Sequence, residues 1–143
     1  MAGSAWVIHD KAKKYIGNGV IDLDDDVLKA RLYLSTSNVS TSSVDGIASA
    51  TDQVSGNGYA EQTLTNVTWA ESGGTVTLDC DAFTFVAAGG DITARYAVIY
   101  DDTADGKPVI CHMLLDDTPA NVTATDTNSI TVTPPAGGIF QVS

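Results

Sequence analysis

A chain of 143 residues with a formal net charge of −11, from 18 acidic against 7 basic residues, can close one hydrophobic core without disulfide or metal staples. Its hydrophobic fraction of 43% against only 17% charged residues describes a globular domain whose solubility rests on hydroxyls and carboxylates. The acidic excess repels phosphate backbones and anionic headgroups, which disfavours direct nucleic-acid or membrane binding, and no apolar run is long enough to span a bilayer.

The expected organisation is a single domain over 1–143, with an N-terminal helical arm over 1–17 and a β domain over 18–143 that carries a polar loop at 35–61. The start of the chain has no basic n-region or long apolar h-region and does not read as a secretory signal. From Ser4 the pattern is helical: Ser4 can cap, Ala5, Ile8, Ala12, Tyr15 and Ile16 recur at three-to-four spacing, and Gly17 suits the left-handed terminus. Lys11, Lys13 and Lys14 then fall towards the C-terminal end of that helix, where its dipole favours cations.

A turn at Gly17, Asn18 and Gly19 leads to a short alternating stretch, Ile21 to Asp24, and then to a half-buried strand with Ala30, Leu32 and Leu34 on one face. Residues 35–61 are dominated by Ser, Thr, Gly, Asn and Asp, too polar to pack a core, and are expected to form a mobile loop or contact arm. Strand alternation resumes at 75–80, but its apolar parity changes before Phe83 and Phe85, which implies a bulge or bend near Asp81. Residues 92–100 and 109–115 are nearly continuous apolar runs joined by a Gly106 and Pro108 turn, a hairpin covered on both sides. A second hairpin is expected from 128–133, the Pro134 to Gly138 turn and 139–142. Strands at short spacing with Gly- and Pro-rich turns give an all-β sandwich or jelly-roll-like domain with one short N-terminal helix.

Chemistry-bearing residues are sparse. Asp22, Asp24, Asp25 and Asp26 form the densest acidic cluster, read as a solvated turn because it lacks the glycine and distal glutamate of a calcium loop. Asp101, Thr103, Asp105 and Gly106 echo half of such a loop, but His112 stands where the bidentate glutamate belongs, so turn chemistry accounts for them. His9 and His112 lie in no nucleophile motif, and Cys80 and Cys111 alternate into the core as small apolar residues. No catalytic, cofactor or metal residues are assigned. Trp69 is the one aromatic side chain suited to a solvent-facing platform, with a core position the stronger reading.

The order of features resembles the small structural proteins encoded among the head and tail genes of tailed bacteriophages. The resemblance rests on Gly19 to Asp26 running into Leu28 to Leu32, on Cys80 to Phe85, on Ala97 to Thr103 and on Gly137 to Val142; 35–61 departs from it most. It implies a non-enzymatic virion component, a capsid decoration (cement) protein on the outer head surface, with the major capsid protein and further copies of itself for partners; a homotrimer is expected because it matches the local threefold axes of an icosahedral lattice. A tail or head–tail connector protein is the alternative, and a receptor- or carbohydrate-binding module the alternative of another class. For contacts on so acidic a molecule the expected surface is the helix bearing Trp6, Val7 and Ile8, with Lys11 and Lys14 as its basic flank, the equal alternative being that this face packs on the β domain.

Overall fold

The computed structural model describes residues 3–143. In chain order the elements are β1 (Val7–Ile8), α1 (Asp10–Asn18), β2 (Leu28–Tyr33), β3 (Gln62–Thr63), β4 (Thr68–Ser72), β5 (Thr75–Asp79), β6 (Phe83–Val86), β7 (Ile92–Ala94), β8 (Tyr96–Asp101), β9 (Val109–Leu114), β10 (Val122–Ala124), β11 (Ser129–Val132) and β12 (Phe140–Val142). They make a five-stranded sheet in the order β1-β9-β8-β2-β3, a three-stranded sheet β12-β5-β4, and the pairs β10-β7 and β11-β6, antiparallel throughout. The all-β reading with one N-terminal helix is the architecture found.

The β8–β9 hairpin is the middle of the five-stranded sheet, and its continuous apolar sequence follows from burial on both faces. Ala97, Ile99, Cys111 and Met113 face the main core, which the three smaller sheets close from the other side through Leu78, Phe85, Ile92, Ile130 and Phe140. Val98, Tyr100 and Val109 face the opposite way and meet Val39, Val44 and Ile47 in a second cluster. The register shifts between Ile99, opposite Cys111, and Tyr100, opposite Val109, so Ile110 is the extra residue of a bulge and joins the main core.

That second cluster overturns the reading of 35–61 as too polar to pack. Val39, Val44, Ile47 and Val54 are buried, and short 3-10 turns at Asn38–Thr41 and Ile47–Ser49 hold the chain against the sheet as a strap. Each such side chain taken from water contributes about 1.5–3 kcal/mol, so a few apolar residues suffice where the backbone is otherwise tied down. It is tied down: Leu34 N–H donates to Asp52 O at 2.9 Å, Ile47 N–H to Lys107 O at 2.9 Å, and Val109 N–H to Asp45 O at 2.7 Å. Gly46 is required by closeness, since a Cβ there would sit 2.5 Å from Gly106 O.

The N-terminus also differs from expectation. Val7 and Ile8 form an edge strand paired with His112 and Cys111, and the helix begins only at Asp10. Over so few residues strand alternation and helical spacing coincide, and β-branched Val7 and Ile8 favour the strand. Ser4 does not cap; its N–H donates to Leu114 O and its Oγ accepts from Leu114 N–H, both at 2.9 Å, which prolongs the pairing. The left-handed terminus is Gly19, with φ of 83°, not Gly17. No basic residue lies in the last turn of α1, so the dipole does not account for Lys11, Lys13 and Lys14.

Two further corrections concern partners. The parity change near Asp81 is a change of sheet, since β5 lies in the three-stranded sheet and β6 pairs with β11. For the same reason β11 and β12 do not form a hairpin; β11 pairs with β6 and β12 with β5.

Candidate functional site

The residues expected to form one helical contact face are dispersed by the strand. Trp6 is buried at the edge of the main core, Val7 is 44% exposed, and Ile8 is partly buried. Lys11 is bound to Asp45 of the strap at 3.1 Å, and Lys14 is exposed on α1. What the fold builds beside them is an apolar groove of about 630 Å³, where Ile8 and Ile16 face Trp69 and Phe140, with Lys13 and Val142 at its margin. Trp69 and Phe140 are tilted against each other with ring centres 6.0 Å apart. Trp69 is therefore neither a free platform nor a sealed core residue; it is half-buried and lines the groove. The groove lies between β1 and β12, each at the edge of its sheet, where unpaired backbone groups can accept another strand.

Behind β1 lies a buried histidine pair. His9 is the residue before α1 and is 0% exposed; His112 of β9 is 7% exposed. His9 Nε2 is 2.9 Å from His112 Nδ1, and His9 Nδ1 is 3.0 Å from Val44 O. A carbonyl can only accept, so His9 carries its proton on Nδ1, and its bare Nε2 accepts the Nδ1–H of His112. Burial depresses both imidazoles, with the Val44 carbonyl and Asp10 partly offsetting this at His9; at His112 burial and then His9 bring the value down to about 4. Both rings are neutral at pH 7.

The acidic turn is built by its own carboxylates. Asp22 Oδ1 accepts from Asp24 and Asp25 N–H at 3.1 and 3.3 Å, and Asp26 Oδ2 accepts from Asp22 N–H at 2.9 Å. It packs on the β8–β9 turn, where Asp101 is 0% exposed. Asp101 Oδ1 accepts from Thr103 and Ala104 N–H at 2.8 and 3.0 Å, while Oδ2 has no donor. Burial, followed by the neighbouring Asp26 carboxyl, pushes Asp101 up to about 6. Among the described residues no group of three or more His, Cys, Asp or Glu is placed to hold a metal.

A third polar cluster joins β2, β8 and the end of the strap. Arg31 bonds Glu61 at 3.3 Å and lies 4.9 Å above the Tyr100 ring, and the Tyr100 hydroxyl donates to Glu61. Burial would raise Glu61, but Tyr100 and Arg31 outweigh it and hold the carboxyl below its ordinary value. Both cysteines are free; burial pushes Cys80 up to about 12 and Cys111 well above its ordinary value, which keeps both as unreactive thiols at neutral pH.

Sequence reasoning found His9 and His112 in no nucleophile motif and did not place them beside each other, since 103 positions separate them. The groove was missed because its walls come from β1, α1, β4 and β12, and Ile8 and Trp69 were noticed only separately, as a helical contact residue and an aromatic. Compared with known proteins, the chain matches no family model, no curated protein and no solved structure.

Proposed function

We propose that this protein is a non-enzymatic structural component of a tailed-bacteriophage virion, a decoration protein that binds the outer head surface and adds contact area between major-capsid subunits. The observation that carries the reading is the groove of about 630 Å³ between two sheet edges, apolar in its walls and flanked by Lys13, on a molecule of net charge −11. Like-charged copies repel over about a Debye length, roughly 8 Å at physiological salt, so crowding on one shell needs apolar or basic contacts at a defined place. Ile8, Ile16, Phe140 and Val142 with Lys13 supply that place, and symmetry multiplies each contact, with a trimer matching local threefold axes. The resemblance of the order of sequence features to phage head and tail proteins favours the same assignment.

The test adds purified protein to virions stripped of it. Saturable binding to heads that is lost in Ile16→Asp supports decoration; binding to tails selects the tail or connector alternative, and binding to neither overturns both. The half-buried Trp69 beside Phe140 favours one reading of another class, a receptor- or carbohydrate-binding module. Retention on a glycan array that Trp69→Ala abolishes selects it.

A further inference from the structure

The strap and the N-terminal segment meet at the histidine pair. Asp10 N–H donates to Ser42 O at 3.0 Å, His9 N–H donates to Ile110 O at 2.9 Å, and His9 Nδ1–H reaches Val44 O. One buried imidazole thus touches three separate pieces of chain: β9 through His112, the strap through Val44, and α1, which it precedes. The two rings stand edge-on, 85° apart, with centres 5.0 Å from each other.

We propose that the His9–His112 pair is an acid-sensitive latch, and that protonating it releases the strap from the outer face of the β8–β9 hairpin and β1–α1 from the edge of β9.

The protons have defined destinations. Three of the four ring nitrogens are engaged in the neutral pair, so the first proton enters at His112 Nε2 and makes an imidazolium inside an interface that excludes water. The second must enter at His9 Nε2. There it meets the Nδ1–H of His112 across 2.9 Å, so two donors face each other, the hydrogen bond is lost, and two like charges are in contact. Separation of the rings relieves both penalties, and it requires that the β1–α1 segment, which carries His9, move away from β9, which carries His112, so that the strap loses the His9 Nδ1–H bond to Val44 O in the same step. Burial depresses both groups in the docked state, so the docked state is the one that excludes protons.

The surrounding charges do not neutralise the imidazolium. From α1, Asp10 lies close enough to favour a charged His9, while Lys11 is engaged by Asp45. From the strap come the Val44 and Val39 backbones and Asp45, whose carboxylate is shared with Lys11 and the Tyr15 hydroxyl. From β8 comes Tyr96, edge-on to His112 with ring centres 6.4 Å apart. Release uncovers Val39, Val44 and Ile47 with the sheet face beneath them, and it shifts Ile8 and Ile16, which wall the groove. Acid would therefore change the adhesive surface and loosen the α1 side of the main core, where Ala12 is buried, while its centre at Ala97, Ile99 and Cys111 stays closed.

The experiment follows amide protection factors of the full chain, corrected for intrinsic exchange, from about pH 7 to about pH 4, alongside the ring-nitrogen shifts of His9 and His112. Protection at 7–18 and 42–50 should fall about tenfold or more while 97–99 stays protected, in step with ring protonation well below the ordinary histidine range. In His112→Gln, which can still donate to His9 Nε2 but cannot titrate, that loss should disappear. Unchanged protection through ring protonation, ordinary histidine titration with both segments docked, or an equal loss in His112→Gln would each overturn the latch. If His112→Gln does not fold, the coincidence of ring protonation and local opening in the unmodified chain decides alone.

Discussion

Two pairs of like ionisable groups sit at the β8–β9 hairpin, and they respond to protons in opposite senses. At the strap, His9 and His112 are kept neutral by burial and by a carbonyl that fixes their tautomers. At the turn, Asp101 is buried against Asp26 with one oxygen lacking a donor, and it holds its proton up to about 6. Imidazoles depressed on folding contribute stability that is present above the unfolded value of about 6.5 and is lost as pH falls through the folded values. An aspartic acid raised on folding does the reverse: its contribution is full below the unfolded value of about 3.9 and is lost as pH rises through the folded one. Burial acts alike on both pairs, disfavouring charge; the sign of the charged form decides which side of the pH scale each pair supports.

The largest expected effect comes from forcing a permanent cation onto the histidine side. His112→Lys places an ammonium against Val98 and Tyr96, where no carboxylate acts on the ring it replaces, and an unpaired buried charge costs about 3–5 kcal/mol. Urea denaturation at about pH 8 should show that loss, and it should shrink where the lysine can deprotonate. An equally stable variant would mean that the site admits water, and the contrast with Asp101 would then fail.

Asp101→Asn is the complementary change and should stabilise. The amide oxygen still accepts from Thr103 and Ala104 N–H, and the new N–H₂ can donate to Asp26, so the turn survives while the like charges do not. A gain on the order of 1–2 kcal/mol is expected above about pH 6, vanishing below about pH 4, as read from denaturation midpoints across that range. A loss of stability at high pH would show that Asp101 is held ionised there by partners other than Asp26.

These two pairs also mark where the sequence was legible. β2, β5, β8 and β9 could be read because alternation or a continuous apolar run reports burial directly, and the turn between β8 and β9 carries Gly106 and Pro108 where a turn needs them. The strap could not be read, because Val39, Val44 and Ile47 are irregularly spaced among hydroxyls and are buried by hydrogen bonds to distant backbone, not by periodicity. Likewise the sequence around Asp101 describes a turn and says nothing of depth, and no local pattern pairs His9 with a residue 103 positions away. The groove needed β12 to pair with β5; a Pro- and Gly-rich turn before it suggested β11 instead.

The smallest expected effect separates the buried latch from the ion pair beside it. Lys11 and Asp45 join α1 to the strap at 3.1 Å, close to His9 and Val44, and could be credited with holding the strap in place. Their side chains are 63% and 41% exposed, however, and an exposed pair is screened by water and salt and costs rotamer freedom to form. Docking is instead carried by what is excluded from water: Val39, Val44 and Ile47, the two rings, and the backbone bonds from Ile47 and Val109. Lys11→Ala should thus leave the melting temperature and the amide protection of 42–50 unchanged, and adding about 1 M salt to the unmodified chain should likewise leave the strap protected. If either treatment opened the strap at neutral pH, the surface ion pair would be the fastening, and the neutral histidines would be bystanders to it.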